Sequence, residues 1–198
     1  MHNPDDLVRI SVSRIAGQRL AHEFNQGVEP GAVDVPIVLH PGEFCVGHAP
    51  VTVLCFMEAE AEYVKTGGGY ELGRNPFILP FQLLFNLIQF LIHVIGNRIR
   101  RSRAEREAAP QWRPIDVGTL FLTNRRFAVH GQMRWHDLWF EDIRMSDCNG
   151  IFIRLDMSGS PPLAPELTTP DWWYVMFNKV AYDRVVMPPP PPPPQAIR

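Results

Sequence analysis

The sequence predicts a mainly β, α+β domain, in which a meander of short antiparallel strands is closed by a C-terminal helix. An N-terminal helix precedes the strands and a helical insertion interrupts them. Three observations carry this expectation. Between Ile115 and Met157, apolar and polar residues alternate in short runs separated by turn chemistry. Asn149-Gly150 lies between two such runs, the strongest short hairpin signal. Finally, Thr169-Pro170-Asp171 opens a segment in which Trp173, Met176, Phe177, Val180 and Ala181 recur at helical spacing.

Taken in order, Asn3-Pro4-Asp5-Asp6 supplies a capping side chain, a first-position proline and negative charge at the positive end of a helix. That helix is expected from Pro4 to about Phe24. Its apolar residues make no single stripe, so it is expected to lie against the domain, and Gly27, Pro30 and Gly31 end it. Val35, Ile37 and Leu39 alternate, as do Val51, Val53, Cys55 and Met57, which predicts two strands, the second reaching about Val64. After Pro110 and Pro114 the short strands begin. Leu120 and Leu122 lead through Thr123-Asn124-Arg125 to Phe127 and Val129, with Asn124 expected to take the left-handed conformation of a tight reversal. A strand at Trp135 to Phe140 and a hairpin about Asn149-Gly150 follow. The organisation is therefore a helix and linker at 1–31, a domain at 35–186 interrupted at about 70–114, and a polyproline tail at 187–198.

Composition limits the function classes. With 198 residues, 45% hydrophobic and 20% charged, the chain has material for one core. A formal charge of -2 gives no global field to draw nucleic acid, so no nucleic-acid partner is expected and attraction to any anion must be local. Three cysteines make no disulfide framework and no secretory leader opens the chain, so a cytoplasmic location is the expectation.

Gly118-Thr119-Leu120-Phe121-Leu122-Thr123-Asn124-Arg125-Arg126-Phe127 resembles the Gly-x-Leu-x-Leu-Thr-Asn-x-Arg hairpin of bacterial PH-like and GRAM-like domains. His40-Pro41-Gly42-Glu43 resembles the Pro-Gly-Glu opening of the same domains. The resemblance covers roughly Val35 to Val186, apart from Gly67 to Pro114. It implies a bent antiparallel sheet or small barrel closed by a helix, and a binding or adaptor role instead of catalysis. Ligands in that family range from lipid head groups to proteins, so the resemblance alone selects none.

The insertion departs from the family pattern. From Phe77 to Ile95 nearly every residue is apolar, and Gln82, Asn86, Gln89 and His93 fall on one narrow helical edge. Five arginines, Arg98, Arg100, Arg101, Arg103 and Arg106, follow against Glu105 and Glu107. Three arrangements fit these residues. The segment is long enough to span a bilayer with the arginines on the cytoplasmic side. It can instead lie in the membrane interface with Phe77, Phe81, Leu84, Phe85, Ile88 and Ile92 inward, each nearby Arg adding about 1 kcal/mol at an anionic leaflet. It can also pack on the protein or on a second copy as a homo-oligomer interface. The leading expectation is peripheral attachment to the cytoplasmic membrane face.

Other chemistry is sparse. Arg98, Arg100, Arg101, Arg103, Arg125 and Arg126 are the lipid or anion-binding candidates, the last two at a hairpin tip where Arg can grip phosphate or carboxylate. The same tip reads more simply as a solvated turn whose second Arg lays its stem along the sheet. Cys45, His48, Cys55 and His40 lack the paired clusters of a structural zinc site and read as packed thiols with surface histidines. His130, His136, Asp137, Glu141 and Asp142 read as the solvent face of strands, and without a nucleophile motif no enzyme activity, metal or cofactor is predicted. Trp135, Trp139, Trp172 and Trp173 are expected to pack in the core and between sheet and helix. Pro188 to Pro194 form a stiff extended run that serves either as a protein ligand or as a spacer.

Overall fold

A computed structural model of the chain describes residues 4–58, 98 and 109–190. The chain divides into two compact units, residues 1–56 with 112–198, and residues 57–111. The first unit carries the sheet and both helices. Its elements are α1 (Pro4–Asn25), β1 (Cys45–Met57), β2 (Gln111–Thr123), β3 (Arg126–Gly131), β4 (Trp135–Trp139), β5 (Ile143–Cys148), β6 (Ile153–Met157), β7 (Leu163–Glu166) and α2 (Pro170–Tyr182). A single 3-10 turn, Phe140–Asp142, joins β4 to β5.

The seven strands form one bent antiparallel sheet in the order β4-β3-β2-β1-β7-β6-β5, which does not close. From β1 the chain meanders out to the β4 edge, crosses to the β5 edge and returns to place β7 beside β1. With its closing helix the arrangement fits a PH-like α+β fold.

Both helices lie on one face of the sheet. Leu20, Ala21 and Phe24 of α1 and Trp173, Val175, Met176 and Phe177 of α2 are buried in one cluster with Val51, Val53, Leu120, Leu122, Phe127, Val129, Ile153 and Leu155. The predicted α2 stripe thus packs on the sheet, where alternating strand residues present a continuous apolar face. Thr169 is the α2 N-cap residue but makes no side-chain cap bond. Asp171 instead accepts from the Ser13 hydroxyl at 2.5 Å and pairs with Arg14 at 3.4 Å, tying α2 to α1. α1 buries Ile10, Leu20, Ala21 and Phe24 while Val8, Val12 and Ile15 stay exposed on the opposite side, which is why its apolar residues form no single stripe.

Several local expectations are corrected. Residues 35–39 are not a strand. Their alternation arises because Val35 and Ile37 lie over Cys45, Phe121 and Ala128 on the outer face of the sheet, the face without helices. β2 begins before Pro114 and runs through it, and its pairing with β3 starts only at Gly118, so the proline lies outside that ladder. β7 is a strand that its prolines hid. In the β1 pairing Pro165 stands opposite Val53, and because the Phe56 N–H donates to the Pro162 carbonyl, Pro165 falls at a non-hydrogen-bonded position and costs no rung to β1; on its other side Leu155 pairs Leu163 and Phe152 bridges Glu166, so the β6 ladder is interrupted at the proline.

The Thr123-Asn124-Arg125 reversal is made without a left-handed Asn, since Asp183 is the positive-φ non-glycine residue among those described. Instead the Thr123 hydroxyl accepts from the N–H groups of Arg125 and Arg126 at 3.1 and 3.0 Å. The second hairpin does follow its motif: Gly150 has φ +83 and the Asn149 side chain accepts from the N–H groups of Ile151 and Phe152.

Candidate functional site

The two segments that carry the family resemblance meet in space. Asn124 accepts the Phe44 N–H on its side-chain oxygen at 3.0 Å and donates its amide to the Gly42 carbonyl at 3.2 Å. Its own N–H donates to the Phe44 carbonyl. Beside it the Arg126 guanidinium turns inward. Nε donates to Glu43 Oε1 at 2.9 Å, Nη2 to Glu43 Oε2 at 3.2 Å, and Nη1 to Asp137 Oδ1 at 2.7 Å. The guanidinium also lies over the Trp139 ring, 4.8 Å from its centroid. Glu43 is fully buried, and burial raises its carboxyl pKa; the His40 N–H and the Arg126 charge more than offset this and hold it below the usual carboxylate value.

Arg126 is therefore corrected as an anion-binding candidate. Its side chain is 5% exposed and already spends its charge on two carboxylates. Arg125, one residue earlier, is exposed and its guanidinium has no hydrogen bond or ion pair among the described residues. Arg125 lies in the turn between β2 and β3, whereas Arg126 is the first residue of β3, on the sheet face that Glu43 and Asp137 reach.

Above this clasp lies a cleft of about 510 Å³ on the outer face of the sheet, bounded by Pro36 to Val38, His40, His130 and Trp135 with Arg126 at its floor. His40 packs on Trp139 and His130 on Trp135, each pair 5.4 Å between ring centroids. Trp135 is 41% exposed, against the expectation of core packing, and its Nε1 donates to Asp137 Oδ1 at 2.8 Å. Trp173 is buried, and Trp139 and Trp172 are half-buried. Sequence reading missed this cleft because its parts come from the 36–40 loop and two strands about 90 residues away.

The β3–β4 turn is held by a second missed group. Asp116 is buried and accepts from the N–H groups of Val117, Met133 and Arg134, and His136 Nε2 lies 3.0 Å from its Oδ2. Burial raises the Asp116 pKa, but these hydrogen bonds dominate and bring it down to about 2. His136 thus points inward, not to solvent, whereas His130, Asp137, Glu141 and Asp142 remain on exposed positions. Cys45, Cys55 and Cys148 are buried free thiols, and burial pushes Cys148 up to about 12. His48 is exposed beside the Phe121 ring.

The opposite end of the β1–β2 pair is where the insertion departs and returns. The exits are joined by an aromatic row in which Phe56 and Trp112 are 5.3 Å apart and Trp112 and Phe152 5.1 Å apart. Arg98 is exposed. Arg100, Arg101 and Arg103, and the contact residues Phe77, Phe81, Leu84, Phe85, Ile88 and Ile92, lie outside the described residues. Among the described residues no helix is long and apolar enough to cross a membrane. In comparisons with known proteins, no family model, curated protein or solved structure matches the chain.

Proposed function

We propose that the protein is a non-enzymatic PH-like adaptor that attaches peripherally to an anionic membrane through the insertion between β1 and β2. One observation carries the reading: β1 and β2 are neighbours in one sheet, and Phe56 touches Trp112 where the insertion leaves and returns. Both ends of residues 57–111 therefore start from the same end of one folded unit. That geometry suits a segment that dips into an interface and comes back, and it opposes a single crossing, which would put the two ends on opposite sides of a bilayer. The half-buried Trp112 at the exits, flanked by Phe56 and Phe152, is an amphipathic ring of the kind favoured at headgroup depth and supports this reading. Phe77 to Ile95 then supply apolar area and the arginines from Arg98 onward supply attraction to anionic lipid, the two signals that stable reversible attachment needs.

The test is sedimentation with phosphatidylglycerol-containing vesicles against neutral phosphatidylcholine vesicles. Binding is expected to anionic vesicles, to weaken at high salt, and to be lost on deletion of residues 76 to 106. Changing Arg98, Arg100, Arg101 and Arg103 to Glu should weaken it by at least about a hundredfold, from roughly 1 kcal/mol per charge. Unchanged binding after the deletion would overturn the proposal.

A further inference from the structure

We propose that the outer edge of β4 binds an extended peptide as an added strand, with a basic side chain opposite Asp137 and an apolar one opposite Trp135. β4 ends the sheet order, so one of its sides has no neighbouring strand. Its register shows which groups that side presents. The Gly131 N–H donates to the Arg134 carbonyl and the Phe140 N–H to the Arg125 carbonyl, so the even-numbered residues of this stretch turn their backbone toward β3. The N–H and C=O groups of Trp135, Asp137 and Trp139 therefore point away from β3, and none has a backbone partner among the described residues.

The other edge of the sheet is closed to such pairing. On β5 the Ser146 carbonyl accepts from the Tyr174 hydroxyl of α2 at 3.4 Å, the Cys148 N–H donates to the Asp147 side chain at 2.8 Å, and a register shift breaks the strand between Ile143 and Met145. β4 has none of these protections. Trp135-His136-Asp137-Leu138-Trp139 contains no proline, lysine or glycine and follows β3 without a register shift.

The side chains define the occupant. Directly opposite residues of an antiparallel pair share a face, and Trp135, Asp137 and Trp139 share the outer face with their β3 partners His130, Ala128 and Arg126. Trp135 is one wall of the cleft that Pro36 to Val38 and His130 also line, and the Arg126 charge at its floor is already met by Glu43 and Asp137. The cleft thus offers ring and aliphatic surface, which suits an apolar side chain beside Trp135. Asp137 lies outside the cleft, at the centre of the edge. One guanidinium, Arg126, serves both Glu43 and Asp137, which leaves one negative charge in excess; Glu43 is buried and Asp137 is one-third exposed, so the excess is open to a basic residue on the added strand. A second copy fits less well, because two β4 edges in full register would set Asp137 directly against its counterpart, and like charges opposite one another repel. In strand addition the main-chain bonds supply affinity and alternate side chains supply specificity. The site uses only residues of the sheet-bearing unit and stands independently of the membrane reading.

The test is an NMR titration of the isotope-labelled full chain with the end-blocked peptide Thr-Val-Thr-Arg-Thr-Phe-Thr, whose Val, Arg and Phe fall opposite Trp139, Asp137 and Trp135 in the antiparallel register. The amide signals of Trp135, Asp137 and Trp139 should shift and exchange more slowly with deuterium, while those of β5 stay unchanged. Replacing the peptide's Arg by Glu should weaken binding at least about tenfold. N-methylation of that Arg, whose N–H faces β4, should weaken it about fivefold to tenfold through the lost rung, whereas N-methylation of a flanking Thr, whose N–H faces away, should change it by less than about twofold. All these comparisons use the unaltered protein, so misfolding cannot produce them. Absence of shifts at millimolar peptide overturns the proposal, as do shifts confined to β5 or binding indifferent to the Glu replacement and to which residue is methylated. A protein mass that doubles without peptide, with the same three amides protected, would give the edge to a second copy and overturn it as well.

Discussion

Glu43 and Arg126, 83 residues apart, form a two-point ion pair with both partners buried: Nε to Oε1 at 2.9 Å and Nη2 to Oε2 at 3.2 Å. Glu43 stands just before β1 and Arg126 just after the β2 reversal, so the pair clasps the end of these strands opposite the insertion. The sheet is thereby held across the interruption by a contact that does not depend on residues 57–111.

Removing half of this clasp should be costly. Glu43→Gln leaves a buried guanidinium with Asp137 as its remaining carboxylate, and a loss of about 3 kcal/mol in urea unfolding is expected. Replacing both partners by apolar residues of similar size, Glu43→Leu with Arg126→Met, should recover part of that loss, because no buried charge is then left unpaired. A single-variant loss below about 1 kcal/mol would show that the clasp is worth no more than a surface pair.

Asp116 should make the fold acid-sensitive in a definite window. Its folded value of about 2 lies below its ordinary 3.8, so its contribution is complete above the ordinary value and disappears as pH falls from there through about 2. Glu43, also held low, acts in the same direction. Asp116→Asn is expected to lower stability near neutral pH and to flatten its decline between about pH 4 and pH 2. Parallel urea midpoints of wild type and variant across that range would check this, and equal slopes would count against it.

Gly118 should tolerate no side chain. A Cβ there would lie 2.1 Å from the His130 carbonyl oxygen and 2.7 Å from the Gly131 Cα, both backbone atoms of the paired strand β3. Gly118→Ala must therefore force β2 and β3 apart, at a cost of at least about 3 kcal/mol. Thermal unfolding within a few degrees of wild type would show that the strands can separate there without penalty.

Local chemistry was legible in the sequence by itself. It determined the long N-terminal helix, the α2 stripe, the Asn149-Gly150 hairpin and the β2–β3 hairpin, because caps, periodicity and turn residues act within a few positions of one another. It also determined the composition of the insertion and of the proline tail. The tertiary structure alone decided that Val35 and Ile37 cover the sheet without joining it, that Pro165 lies in a strand, that His136 faces a buried Asp116, and that Arg126 turns away from solvent while Arg125 does not. Each of these depends on which distant backbone or carboxylate arrives beside a residue: a proline is acceptable where no donor is required, and an arginine enters the interior where Glu43 and Asp137 wait for it. Sequence spacing carries no record of such meetings, since they are set by the antiparallel neighbours β1 and β2 and by the loop that crosses them.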